Sequence, residues 1–332
     1  EEAGVAMADV EVVAVARRPE RNMTGPILHA LAGRSSYPAA LREALEDAAR
    51  PIDWRGLVAR ATGASPAHLG FEVRTVEHLE ALSAGALHDR ACGSVHRIDR
   101  CECADRPVAI LALDGSADFG STLIAQGGAG GAVEPLARVL FPHSLGIFQA
   151  MVAQLAGVPG DEGALEVLAS EGGPRFLDAM REVVRPASGA DRGGFRLDLA
   201  YFTHGATGAT LAPVGEVPAE EPLYSPAAVA RFGPPPGPQD PIGARERDLA
   251  FAAQRVLEER LVALAAAARR RTGASVLLHA GTFAGNPGAN AALRRSGFFD
   301  AVLPARGVPG MHAAAGAAVA VATSLGVLAP AR

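Results

Sequence analysis

Residues 110–131 read ILALDGSADFGSTLIAQGGAGG. An apolar run ends on Asp114, a turn of small residues follows, and a second apolar run closes in glycines. Short apolar runs bounded by turn residues are strand signals, so PVAILALDG and GSTLIAQG are expected to pair around the turn. A carboxylate at a strand end can hold a divalent metal or its water, and small turn residues let backbone N–H groups approach phosphate oxygens. Gly115, Ser116, Ser121 and Thr122 are the candidates beside Asp114. Asp-Gly is equally a strong signal for a plain hairpin, and the stretch taken alone favours that plainer reading.

The same reading extends outward in both directions. VEVVAVA (Val10 to Ala16) has the length and β-branching of a buried strand, and YPAALREALEDAAR after it has helical spacing opened by a proline. FEVRTV (Phe71 to Val76) is a strand feeding a helix from His78. PHSLGIFQAMVAQLAG and DEGALEVLAS read as helices, and GGFRLDLAYF as an alternating strand. Pro and Gly crowd residues 212–243, a linker or long surface excursion. A long amphipathic helix then runs from Ala244 to Arg271, followed by the strand SVLLHAG, the helix PGANAALRRSG, the short strand AVLPA and a last helix.

Strands alternating with helices place the chain in the α/β class. Ligands of such sheets sit at the carboxyl ends of the strands, which singles out Asp114 and the turn HAGTFAGN. That second turn leaves a strand and enters a helix whose first N–H groups can face a nucleotide, with Gly281, Asn286 and Asn290 as candidates. Any strand-to-helix turn collects Gly and Asn, so this signal is weak by itself.

The bulk properties bound the partners. With 332 residues, 49% of them hydrophobic, the chain can bury a large core as one bilobal domain or two domains. Its 31 basic residues against 36 acidic ones, net −5, leave no footprint for nucleic acid or an anionic membrane. A small molecule or a protein is the better partner. The most apolar segment, MHAAAGAAVAVATSLGVL from Met311, is built from Ala and Gly and suits a closely packed core helix. The first residues lack the basic start and apolar centre of a signal peptide, so a cytoplasmic protein is expected; the opening Glu1 leaves room for a start upstream. The 3 cysteines, Cys92, Cys101 and Cys103, are no disulfide framework.

Several stretches in order resemble the amino-terminal domain of O-carbamoyltransferases of the NodU/CmcH type. They are VEHLEALSAGAL, ILALDGSADFGSTLI, FPHSLGIFQAM, GDEGALEVLAS, GGFRLDLAYFTHG, RFGPPPGPQDP with DLAFAAQRVLEERL, AGTFAGNPGAN and GMHAAAGAAVAVA, from about Val73 onward. FPHSLG and FRLDLAYFTH are the specific ones. The resemblance implies an actin-like ATPase fold, that of acetate and sugar kinases, Hsc70 and actin, with two lobes closing on a nucleotide. Residues 1–106 would be the remnant of a reduced first lobe and residues 107–332 the second lobe. Within such a fold Asp114 is a site residue, and His143 and His204 line the interlobe cleft as further catalytic candidates; Thr282 stands beside the adenosine.

The resemblance also implies metal ligands, and here the chain departs from it. Of a His-x-x-x-His pair, His78 remains and Leu82 stands at the second position. The late aspartate falls at or next to Gly310, with His312 as an unaligned substitute, and Ala164 stands where a lysine would meet phosphate. His78 and Asp114 alone are too few for a catalytic divalent metal, which usually takes three or more protein ligands. No cofactor is therefore assigned with ATP and a divalent metal implied only if the site still works as in the family. The stretch HDRACGSVHRIDRCECADR offers His88, Cys92, His96, Cys101 and Cys103 as a possible zinc set, against the reading of an incidental surface loop or a subunit contact.

The expected function is a subunit repurposed within a hetero-oligomeric enzyme of secondary-metabolite (antibiotic) biosynthesis, doing group transfer or a ring-closing displacement without ATP or metal. One alternative is the nucleotide-binding half of a two-chain ATP-dependent O-carbamoyltransferase. Another is a non-catalytic scaffold that stabilises a catalytic partner. Each requires a second protein subunit.

Overall fold

The computed structural model describes residues 6–31, 52–92, 107–115, 117–128, 132–160, 162–187, 194–207, 222–237, 239–307 and 309–327. The helix expected in residues 37–50 lies outside them, as do Ser116, His96, Cys101 and Cys103. The expected α/β class holds: a five-stranded mixed sheet forms the centre, in the order β5 (Val133–Leu140), β4 (Gly120–Gly127), β3 (Val108–Leu113), β8 (Val276–Gly281), β9 (Ala301–Pro304). β3 runs antiparallel to β4 and parallel to β8, so the chain leaves β3 for one neighbour and returns much later on its other side. A parallel two-stranded sheet pairs β1 (Val12–Val15) with β2 (Glu72–Thr75), and a short antiparallel one pairs β6 (Val184–Pro186) with β7 (Phe195–Leu197).

Every residue of β3 is buried, which explains its uninterrupted apolar run: both faces of the sheet are covered. Ala109, Leu111 and Leu113 face a core built on the helices Leu145–Leu155 and Ala244–Thr272. Val108, Ile110 and Ala112 face a second core with Leu79, Leu82, Ala86 and Leu87 of the helix His78–Cys92, and with Ala313 of the helix Pro309–Ser324. The helix His78–Cys92 thus shares a core with strands on the far side of the boundary expected at residue 106. In chain order we name the helices α1 (Thr24–Leu31), α2 (Trp54–Thr62), α3 (His78–Cys92), α4 (Leu145–Leu155), α5 (Glu162–Glu171), α6 (Leu177–Val183), α7 (His204–Thr207), α8 (Pro226–Phe232), α9 (Ala244–Thr272), α10 (Pro287–Arg295) and α11 (Pro309–Ser324).

The Ala/Gly-rich segment packs closely along one face, but it is not the core helix expected, since Met311, Ala314, Ala315 and Ala318 are exposed. A Cβ on Gly316 of α11 would stand 1.8 Å from the Ala81 carbonyl oxygen, and one on Gly85 of α3 would stand 2.4 Å from that of His312. The missing side chains let the two helix backbones meet. No helix among the described residues is long and apolar enough to cross a membrane.

Two sequence expectations need correction, and one strand was not anticipated. GGFRLDLAYF is a strand only at Phe195–Leu197, because the Asp198 side chain accepts from the Ala200 N–H at 3.2 Å and turns the chain into the 3-10 helix Leu199–Tyr201. The Pro/Gly-rich excursion contains α8, capped by Ser225 with Pro226 in its first turn, and it buries Ala228 and Phe232. VEPLARVL, passed over in the sequence, is the edge strand β5; its Pro135 is tolerated because an edge strand has a free side and the register shifts there.

Candidate active site

The strands expected around the opening turn do pair, Leu113 opposite Thr122, but not through a two-residue Asp-Gly turn. The left-handed residues are Asp118 (φ 51°) and Phe119 (φ 59°), in a wider loop that frees Asp114 to face the neighbouring strand. Asp114 follows β3 and Thr282 follows β8, so the two meet at the carboxyl ends of the central parallel pair. Asp114 Oδ1 accepts from the Gly115 N–H at 2.6 Å and from the Thr282 hydroxyl at 3.1 Å. Its Oδ2 lies 2.6 Å from His78 Nε2. The Thr282 hydroxyl is therefore spent on the carboxylate. Gly281 needs no ligand to explain it: at φ 89°, its Cβ would fall 1.8 Å from the Leu113 carbonyl oxygen.

Burial disfavours charge on both members of the His78–Asp114 pair, yet their hydrogen bond and attraction prevail: His78 is raised above its ordinary pKa and Asp114 lowered below its own. With Nε2 committed to Asp114, His78 Nδ1 has no hydrogen bond among the described residues. The pair has the layout of a proton-transfer dyad, a carboxylate orienting an imidazole whose second nitrogen is open.

Asp118, in the same loop, is 4% exposed. Its Oδ2 accepts from the backbone N–H of Arg18 at 2.6 Å and of His78 at 3.0 Å, tying the N-terminal segment, the loop and the start of α3 together. Burial is the chief reason its pKa rises to about 6. Beside it, Glu77 accepts from Asn22 Nδ2 at 3.1 Å, from Arg138 at 2.9 Å and from the Glu80 N–H at 3.0 Å, so a fully satisfied buried carboxylate caps α3. The sequence carried one cue for this network: Glu77 immediately precedes the helix start.

His143 and His204 part company. His204 is 0% exposed, between the rings of Phe141 and Phe202, and its Nε2 donates to the Pro142 carbonyl at 2.8 Å. It is an interior residue, which corrects its expected place on a cleft. His143 lies at a cavity of about 590 Å³ that Asp114 and His78 do not line. Ser121 donates to the His143 carbonyl at 2.6 Å, and Ser144, which caps α4, donates to the Gly115 carbonyl. The turn bearing His143 thus braces the Asp114 loop. Thr122 is buried with its Oγ1 unpartnered.

Asn286 is occupied as the cap of α10, accepting from the Ala289 N–H at 2.6 Å, and as the amide partner of Gln254. Asn290 bonds His279 Nδ1 at 2.8 Å inside the core. Both are consumed by the fold rather than turned toward a nucleotide.

The donor set for a divalent metal does not fit among the described residues. Leu82 is 0% exposed in the core, a Cβ on Gly310 would meet nothing within 4 Å, and His312 is paired with Asp89 at 2.8 Å. Among the described residues, no group of three or more His, Cys, Asp or Glu gathers to hold a metal. Of the zinc candidates, His88 and Cys92 fall at the end of α3, and the other three lie outside the described residues.

A mixed α/β sheet with a carboxylate at the carboxyl end of its central strand is the class of protein that fold and site define. The Carbamoyltransferase N-terminus family model matches residues 103–319, and the chain belongs to that family. It is 31% identical over 218 residues to uncharacterized protein sll1178 of Synechocystis sp. (strain ATCC 27184 / PCC 6803 / Kazusa), a match covering 64% of this chain and 32% of that protein. The chain thus spans about a third of the relative's length. Among solved structures, HypF of T. kodakarensis matches at a TM-score of 0.37 and 15% identity, over 84% of this chain and 40% of the other, too slight a likeness to add to the fold assignment.

Proposed function

We propose that the chain is a carbamoyltransferase-like subunit whose ancestral metal carboxylate now orients His78, and that it performs group transfer or a ring-closing displacement without ATP or metal. The observation that carries this is the 2.6 Å pairing of His78 Nε2 with Asp114 Oδ2, with Asp114's other oxygen already held by Gly115 and Thr282. His78 Nδ1 takes the proton from the attacking group of the substrate; Asp114 holds the imidazole in the tautomer that can accept it and stabilises the imidazolium that results. Orientation within the site supplies the rest of the rate. A partner chain completes the enzyme, in a NodU/CmcH-like setting of secondary-metabolite biosynthesis. Ile27 and Leu31 of α1, 42% and 78% exposed, support an interface on that side.

Calorimetric titration with an ATP analogue and magnesium tests this reading. No metal-dependent binding is expected, and tight binding that vanishes with chelator would overturn it. In the complex purified with its native partner, His78→Gln should lower turnover about 10²-fold or more while leaving assembly intact.

The second reading, the nucleotide-binding half of a two-chain O-carbamoyltransferase, draws on one observation. Asp114 and Thr282 stand at the strand ends where α/β sheets bind their ligands, with the start of α4 so close to Gly115 that a Cβ on Gly146 would lie 2.8 Å from the Gly115 Cα. The same titration separates the two.

A further inference from the structure

The cavity at His143 has a composition that the proton-transfer site does not explain. It is bounded by α1, the end of β5, the β6–β7 pair and the last turns of α9, and at about 590 Å³ it falls in the size range of small-molecule pockets. Among the described residues that line it there is no Asp or Glu. Arg138 at its wall is engaged by Glu77 and Glu80, but Arg196 and Arg271 have no ion pair among the described residues. In a chain of net charge −5, that is a local excess of cation.

Two further polar groups await a partner. The Leu197 N–H donates to His143 Nδ1 at 3.2 Å, which places the imidazole proton on Nε2, a donor without a hydrogen bond among the described residues. Burial first, then the nearby Arg196 cation, push the His143 pKa down to about 4, so this donor stays neutral and protonated on Nε2 at ordinary pH. Thr122 lines the cavity at 1% exposure, and its Oγ1 is an orphan hydroxyl. A buried polar atom with no partner costs stability unless a ligand satisfies it. Thr24 and His29 add polar groups on the α1 side, and Leu28, Ile124, Phe141 and Leu264 give the wall an apolar part.

We propose that this cavity binds a small molecule carrying a carboxylate on an apolar body, the carboxylate held by Arg196 and His143 Nε2–H and the body lying against Leu28, Ile124 and Phe141. The guanidinium supplies the charge-assisted bond, and the neutral imidazole and the Thr122 hydroxyl supply direction. Naming this molecule the substrate rests on the proposed function; its binding does not, and turnover is not the readout.

Hexanoate is the probe, with methyl hexanoate and inorganic phosphate as the other arms, measured on the full chain by calorimetry and thermal shift. Hexanoate should bind and raise the melting temperature, methyl hexanoate should not bind, and phosphate should bind more weakly. Arg196→Gln should weaken hexanoate about ten-fold with the fold intact by circular dichroism, since Arg196 is exposed and holds no ion pair. Thr122→Val should stabilise the unliganded protein while weakening hexanoate, a combination that a purely structural threonine would not produce. Equal binding of the ester, unchanged affinity in Arg196→Gln, or no hexanoate binding would overturn the site. Phosphate binding as tightly as hexanoate would overturn its apolar half.

Discussion

At the residue scale, Gly281 shows how closely the site is built into the sheet. It joins β8 to the Thr282 turn at φ 89°, with no space for a Cβ against Leu113. Gly281→Ala should cost about 3 kcal/mol of stability in urea unfolding, since left-handed strain and a backbone clash add. It should also disturb the Thr282–Asp114 bond and with it the His78 pair. A variant as stable as the parent would mean that the two strand ends are looser than described. The residues that define the site were legible singly: Asp114 from its place after an apolar strand, His78 and Thr282 from the family resemblance. Their mutual bonds were not, because nothing local records that positions 36 and 168 residues apart will meet.

At the element scale, the contact of α3 with α11 carries the face of the sheet opposite α9. It depends on Gly85 and Gly316, where the backbones replace side chains. Gly316→Ala pushes a methyl group into the Ala81 carbonyl, so the helices must separate and Leu82 and Ala313 lose contact with Ile110. The melting temperature followed by circular dichroism should fall by several degrees, the shift expected of about 2 kcal/mol in a chain of this size. An unchanged melting temperature would refute the close packing. Both helices were expected from the sequence, but VEVVAVA, expected as a buried strand, is only half-buried as β1 in its two-stranded sheet. α8 and β5 were passed over because proline and glycine dominate their surroundings, although Ser225-Pro226 is a helix start and an edge strand accepts proline.

At the scale of the whole molecule, buried titratable groups set how stability follows pH. His143, His204 and His279 are all depressed to about 4, chiefly by burial. Each is neutral in the folded chain while its unfolded counterpart takes up a proton below about 6.5, so this stability is full above that value and is lost as pH falls toward 4. Asp118 works in the opposite sense. Its raised value, about 6, means that its contribution is present below the ordinary carboxylate range and is lost as pH rises through 6. Three imidazoles outweigh one carboxyl, so the melting temperature should climb from pH 4.5 to 6.5. Asp118→Asn should steepen the climb by removing the opposing group. A flat profile would show that the histidines are not held neutral inside.

The sequence by itself determined the α/β class, most of the elements and the family, because apolar periodicity, turn residues and ordered stretches are local properties written residue by residue. It also placed Leu82 and Gly310 where the family resemblance implies metal ligands. Only the tertiary structure decided what became of the remainder. Asp114 meets Thr282 because parallel strands β3 and β8 end together and meets His78 because α3 starts beside them, His204 is withdrawn into the core while His143 faces a cavity, and Asp118 is buried in its loop. Those outcomes depend on which chain segments pack against one another, and burial and distance, which set hydrogen bonds and proton affinities, exist only once they have packed.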